Sequence, residues 1–201
     1  MCITSTGKWS ILFSLCIICY SFLSAQVVKV TVTESPAPGT ITEDTVYYGK
    51  NRPLRWSDFT GRVRQQSPSA ALSFSGFSYD AGILVKPDTI HVHLFLQTYF
   101  VRSGSWVRPG ENNTYALSHE QLHFDIAKIS EIKFKDSVLR DHLSPEYYPM
   151  EIKMIFLDAW RKMNDLQETF DRDTRHGTNH SKETEWERKI TRKLLSDSDP
   201  G

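Results

Sequence analysis

The sequence predicts an α+β domain in which an N-terminal antiparallel or mixed sheet packs against about three C-terminal helices. Three observations carry that expectation. Before residue 102, apolar residues recur at alternate positions in several separate runs, the period of a half-buried strand. After residue 113 the apolar spacing lengthens to three and four, the period of a helix. All the strand-like runs precede all the helix-like ones, so the two kinds of element belong to separate layers and not to alternating βα units.

The first residues stand apart from the fold. Lys8 precedes an apolar run over residues 9–23, and Leu23-Ser24-Ala25 ends it with small residues. This pattern predicts a signal peptide over 1–25, cleaved before Gln26. The run falls short of the about 20 apolar residues a membrane span requires, so no stable membrane insertion is expected after cleavage. Cys16 and Cys19 follow Leu15 and Ile18, where a lipoprotein cysteine needs a small residue. All 3 cysteines, Cys2 included, lie in this segment. The mature chain is then an exported protein without disulfides, a habit that suits a bacterial envelope, secreted or periplasmic. Asn112-Asn113-Thr114 and Asn179-His180-Ser181 match the glycosylation triplet and read as chance matches in that setting.

Loss of Lys8 from the 24 basic side chains leaves 23 against 24 acidic ones, a net charge near −1. That balance provides no field to hold nucleic acid or an anionic membrane. The 176 remaining residues suit one domain with a real core.

Residues 26–51 read as an N-terminal strand (Val27, Val28, Val30, Val32) and a linker broken by Pro36, Pro38 and Gly39. The main domain spans 52–196. Residues 54–61 look like a strand end and turn, with Trp56 and Phe59 as core anchors. Residues 70–79 alternate as a strand. Residues 88–101 alternate best, with Ile90, Val92, Leu94, Leu96 and Phe100 on one face and His91, His93, Phe95, Gln97 and Tyr99 on the other. A helix capped by Asn113 or Thr114 runs to about Leu139. A second helix begins at Tyr148-Pro149, with its stripe running from Ile152 to Phe170. Residues 171–177 form a polar loop, and a last helix over about 182–195 docks through Trp186, Ile190 and Leu194. Residues 197–201 are expected to be a disordered tail.

The chemistry is concentrated in His119-Glu120-Gln121-Leu122-His123. With 7 His and 11 Glu in the chain, chance predicts such a HExxH match on the order of one time in a hundred. On a helix the two imidazoles stack on one face and can share a Zn²⁺, and the intervening Glu120 is free to act on water. The flanking residues contain no Pro or Gly and are apolar on more than one face, as in a buried helix. Buried imidazoles and a buried carboxylate need partners, and a metal provides them.

A catalytic zinc takes three protein ligands and keeps one open position. Glu131 is eight residues past His123 on the same helix, about 12 Å along its axis and out of reach. Glu146 and Glu151 depend on an unplaced turn. His176 is the preferred third ligand, because it lies in a polar loop beside Gly177, with Asp173 and Thr174 as acceptors around it. Tyr147, Tyr148 and His180 are unranked candidates for stabilising an oxyanion. Asp125 either orients an imidazole or pairs within its helix. His91 and His93 point the same way along a strand, which favours a polar face over a metal site and, on an edge, would allow main-chain pairing with a peptide.

The string Ser118-His119-Glu120-Gln121-Leu122-His123-Phe124-Asp125-Ile126 resembles the signature of a bacterial exported family of unknown function described as secreted zinc-dependent proteases. Trp56-Ser57-Asp58-Phe59-Thr60-Gly61, Ser105-Trp106-Val107 and Asp173-Thr174-Arg175-His176-Gly177 with Trp186 are similar to it as well. The resemblance spans roughly 52–195 and implies a zincin-like domain in a Gram-negative envelope, with His176 in a recurrent stretch. Lys128 stands where that family leads one to expect an acidic residue nearby.

The combined expectation is an exported zinc metallopeptidase that acts on a peptide or protein substrate. His119, His123 and His176 would hold Zn²⁺ and Glu120 would be the general base. Its rivals are a zinc amidase for cell-wall peptides and a non-catalytic envelope module whose zinc is structural or absent. On this reading His176→Ala weakens zinc binding, as measured by metal analysis of the purified mature chain.

Overall fold

The computed structural model describes residues 26–35, 42–49, 52–67 and 69–197. The expected signal peptide, most of the linker and residues 198–201 of the expected tail lie outside the described residues. The elements are β1 (Val27–Glu34), β2 (Thr45–Tyr47), a 3₁₀ turn (Trp56–Asp58), β3 (Ala71–Leu72), β4 (Ser75–Val85), β5 (Thr89–Val101), β6 (Trp106–Val107), α1 (Thr114–Arg140), α2 (Tyr148–Thr174) and α3 (His180–Asp197). The α+β class and the three C-terminal helices are as the residues predict.

β5 is the centre of a mixed sheet. β4 pairs with it antiparallel from Ser75↔Phe100 to Val85↔Ile90. On the other edge, β1 pairs parallel from Val27↔Thr89 to Glu34↔Leu96, and β2 continues that edge antiparallel from Thr45↔Val101. The alternation in β5 buries Ile90, Val92, Leu94, Leu96 and Phe100 on one face. The opposite face carries His91 and His93. β5 is therefore not an edge, and those histidines cannot lie beside an added strand. His93 is instead held by Thr31 Oγ1 at 2.8 Å and Thr33 Oγ1 at 3.0 Å across β1.

α1 packs on the buried face of the sheet and is itself covered by α2 and α3, which explains why its apolar residues do not form a single stripe. Asn113 caps it, with Oδ1 accepting from Ala116 N at 2.9 Å. Phe134 anchors the contact between layers, with its ring centroid 6.0 Å from Phe77, 5.4 Å from Tyr79 and 5.7 Å from Phe156. α2 begins at the Tyr148-Pro149 start and buries Ile152, Met163 and Phe170.

The structure differs from the expected elements in three places. Residues 70–79 form two strands, because Phe74 N donates to Ser105 Oγ while Val101 N donates to Phe74 O, so the chain changes partner there. Phe74 lies at that step and is 54% exposed. Residues 56–58 form a 3₁₀ turn built on Asp58, which is buried and accepts from Arg52 Nη2 at 2.8 Å, Arg52 Nη1 at 3.0 Å and Arg55 N at 2.9 Å. Leu54 N in turn donates to Gln121 Oε1 at 2.8 Å, which fixes this segment on the motif helix. Finally, α2 continues through Thr174, into the expected polar loop. No helix among the described residues is long and apolar enough to cross a membrane.

A charged cluster ties β1 to α1. Glu34 accepts from Lys128 Nζ at 2.6 Å and Lys135 Nζ at 2.5 Å, and Lys128 also reaches buried Glu131, which accepts from Thr98 Oγ1. Burial works against the charge on Glu34, but the two ammonium groups outweigh it and hold its pKa at about 2, below its ordinary 4.5. A depressed carboxylate stabilises the fold above its unfolded pKa and loses that contribution as pH falls through the folded value. Thermal melts are therefore expected to show a loss of stability between pH 4.5 and 2 that is smaller in Glu34→Gln. In the core, Phe134→Ala is expected to cost about 3–5 kcal/mol in denaturant unfolding.

Candidate metal centre

The N-terminal half of α1 presents His119, Glu120 and His123, all buried. The two imidazoles lie one helical turn apart, with centroids separated by 5.0 Å and planes at 83°. Phe170 of α2 orients both, stacking on His119 at 4.6 Å and meeting His123 edge-on at 5.0 Å. α2 faces them with its own pair one turn apart, Gln167 and Asp171. Asp171 Oδ1 is 3.2 Å from His119 Nε2 and 3.1 Å from His123 Nε2.

The second nitrogen of each ring is also engaged. His123 Nδ1 is 2.8 Å from Gln167 Oε1, and His119 Nδ1 is 3.1 and 3.0 Å from the two carboxylate oxygens of Glu183 on α3. The Glu183 and Gln167 oxygens can accept a hydrogen from Nδ1 of each ring, as Asp171 Oδ1 can from Nε2, and a neutral ring with its hydrogen on Nδ1 leaves Nε2 free. In that form both Nε2 lone pairs converge with Asp171 Oδ1, and the three atoms lie within 4.8 Å of one another. With both rings neutral, these three atoms could hold a cation. Burial opposes charge on His119, but its bonds to Asp171 and Glu183 outweigh burial and push its pKa up to about 9. Burial likewise opposes charge on Asp171, and the two imidazoles outweigh it, holding the carboxyl well below the usual carboxylate range. The donor set of two imidazoles and a carboxylate, each imidazole oriented from behind by an acceptor, fits a Zn²⁺ site that keeps one position open.

Glu120 supplies the second signal. It is 5% exposed, and its Oε2 is buried without a hydrogen-bond partner among the described residues. Such an atom is costly unless something else occupies the space beside it. It lines a cleft of about 310 Å³ together with His119, His123 and Asp171. Residues 69–73, which include β3, are also part of the lining.

His176 lines this cleft but does not join the cluster. Its side chain is 49% exposed and its Nδ1 lies 3.6 Å from Asp171 Oδ2. The third position beside the two imidazoles is taken by Asp171. The reason is the extra length of α2. Asp171 stays in helical phase with Gln167 and Phe170, whereas His176 falls beyond the chain reversal. Arg175, His176 and Gly177 occupy the left-handed region at φ 51°, 52° and 80°. At Gly177 a side chain would also stand 3.3 Å from His119 Nδ1, so the turn depends on glycine there. The reversal starts α3 and delivers Glu183 to His119.

The other candidates lie elsewhere. Glu131 belongs to the Lys128 cluster, Glu146 accepts from Tyr147 Oη, and Glu151 accepts from Ser144 N. Asp125 pairs with Gln121 and Tyr48, not with an imidazole. Asp173 accepts from Trp186 Nε1, and Thr174 donates to Phe170 O. Tyr147 is exposed and Tyr148 packs on the core. His180 stacks on Tyr115 at 4.1 Å. The residues missed by reading the sequence are Asp171, Gln167 and Glu183. The i, i+4 spacing of Gln167 and Asp171 around Phe170 was the available signal for the first two, since it continues the stripe of α2.

Compared with protein-family models, curated proteins and solved structures, the chain matches none.

In the metal-free protein, Asp171→Asn is expected to bring the His119 pKa down from about 9 toward its ordinary 6.5, because the mutation removes a negative partner of the imidazolium. NMR titration of the ring nitrogens checks this.

Proposed function

We propose that this chain is an exported zinc-dependent metallopeptidase in which His119, His123 and Asp171 hold the metal and Glu120 is the general base. One observation carries the reading: three metal-type ligand atoms converge beside a buried carboxylate oxygen that has no partner among the described residues. Bound zinc would polarise a scissile carbonyl and bring the pKa of a coordinated water toward about 7.

The chain's own residues supply the rest. Glu120 Oε2 takes a proton from the attacking water and passes it to the nitrogen of the leaving amine. Glu183 and Gln167 keep the hydrogens on the two Nδ1 atoms, which leaves both Nε2 atoms free to ligate. Burial of all three motif residues excludes bulk water and strengthens these interactions. β3 favours an extended peptide as the substrate. Arg108 N donates to Ala70 O, so by antiparallel alternation Ala71 turns its own N–H and C=O away from β6. Ala71 is also part of the cleft lining, where those groups can pair with a substrate main chain. The apolar run over 9–23 and the absence of cysteine after residue 25 support export. Substrate profiling separates a general peptidase from an amidase for cell-wall peptides.

A second reading has one observation in its favour. The contacts of 3.2 and 3.1 Å between Asp171 and the two imidazoles are of hydrogen-bond length, so a proton on His119 satisfies the cluster without metal. The domain would then be a binding module of the envelope. That reading leaves Glu120 Oε2 unexplained.

The purified mature chain is expected to carry about one zinc per molecule. Glu120→Gln should keep the metal and lose at least 100-fold in peptide hydrolysis, as removal of a general base does. Wild-type rates in that variant would sink the enzyme reading. Asp171→Ala should lose most of the metal and His176→Ala much less. Glu183→Gln should weaken zinc binding about 10- to 100-fold in a chelator competition.

A further inference from the structure

A second concavity lies away from the metal cleft, on the far side of Trp186. It runs between α1 and α3 over Leu166 of α2 and has a volume of about 400 Å³, within the range of small-ligand sites. Its floor is Ile129, Leu166, Trp186 and Ile190, and its rim is Lys133, Lys189, Arg192, Lys193 and Ser196. Among the described residues no carboxylate lines it, although the chain as a whole has equal numbers of acidic and basic side chains. Lys189 and Arg192 are exposed on successive turns of α3, and Lys189 Nζ stands 4.5 Å over the Trp186 ring. An apolar floor with Lys189 and Arg192 exposed at its border selects a ligand that is apolar along its length and negative at one end.

We propose that this groove binds one single-chain anionic amphiphile, a fatty-acid carboxylate, with its hydrocarbon chain along Leu166, Trp186 and Ile190 and its carboxylate at Lys189 and Arg192. The chemistry of the lining decides against an extended peptide and a bilayer. A peptide strand would bring backbone N–H and C=O groups into a floor with nothing to pair them, and each would be left unsatisfied. A hydrocarbon chain has no such groups. A bilayer engages a convex amphipathic face, whereas this surface is a groove lined by α1, α2 and α3. The site is independent of the metal centre and of the reaction proposed there.

Calorimetric titration of the mature, zinc-loaded protein with dodecanoate, below the concentration at which dodecanoate aggregates, tests the proposal. Saturable binding at one per chain is expected. Dodecyltrimethylammonium has the same tail with the opposite charge, and butyrate has the same head with almost no tail. Both should bind at least 10-fold more weakly. The double variant Lys189→Glu/Arg192→Glu should lose at least 10-fold in dodecanoate affinity, with zinc content and circular dichroism unchanged. Leu166→Trp, which fills the floor, should abolish binding. The proposal is overturned by equal affinity for the ammonium amphiphile, by uptake that never saturates, by no binding at all, or by full affinity in the charge-reversed variant. It is also overturned if the protein sediments with phosphatidylglycerol vesicles through Lys189 and Arg192 without binding dodecanoate, because that outcome assigns the cations to a membrane surface.

Discussion

The contact between α1 and α2 at Phe170 is the constraint on which the candidate site depends. His119 and His123 project from one helix, Gln167 and Asp171 project from the other, and each pair is separated by one helical turn. Phe170 stacks on one imidazole and meets the other edge-on, so it fixes the phase of α2 relative to α1. Once that phase is set, one carboxylate oxygen falls between two Nε2 atoms and an amide oxygen falls behind one ring. A shift of one residue in either helix would move all of these groups off the shared face, because side chains one residue apart do not project together.

α3 completes the arrangement, although its own apolar stripe is narrow. Trp186 packs on Phe170 with centroids 5.6 Å apart and donates to Asp173. Glu183, one turn earlier, is buried against His119. The same helix therefore supports the aromatic wedge and the imidazole it orients. The left-handed turn over 175–177 is what allows α3 to return toward α1. Non-glycine residues at two of its positions bear backbone strain, of order 1 kcal/mol or more each. That strain is retained by the tight approach of Gly177 to His119.

Stability and function are drawn from different parts of α1. Its C-terminal half carries Phe134 and Val138 into the aromatic core and Lys128 and Glu131 into the charged cluster with β1. Its N-terminal half carries buried polar groups that the apolar core does not satisfy. A fold that places three ionisable residues in the interior within five positions must offset their desolvation. Asp171, Glu183 and Gln167 do so for the imidazoles. Glu120 Oε2 is the group left over.

The residues by themselves determined the class of the fold, the order of its layers, the inward face of β5, the start of α2 and the helical motif, because alternation, helical period and capping are local and need no knowledge of partners. The end of α2 was not legible. Asp171, Arg172 and Asp173 have the composition of a loop, yet packing around Phe170 and Trp186 keeps them helical. Which side chains meet across helices was also decided only by tertiary structure. His176 lines the same cleft as His119 because the turn brings it there, but Asp171 reaches the two Nε2 atoms because it shares a helix face with Phe170, and no spacing along the chain encodes the angle at which two helices cross.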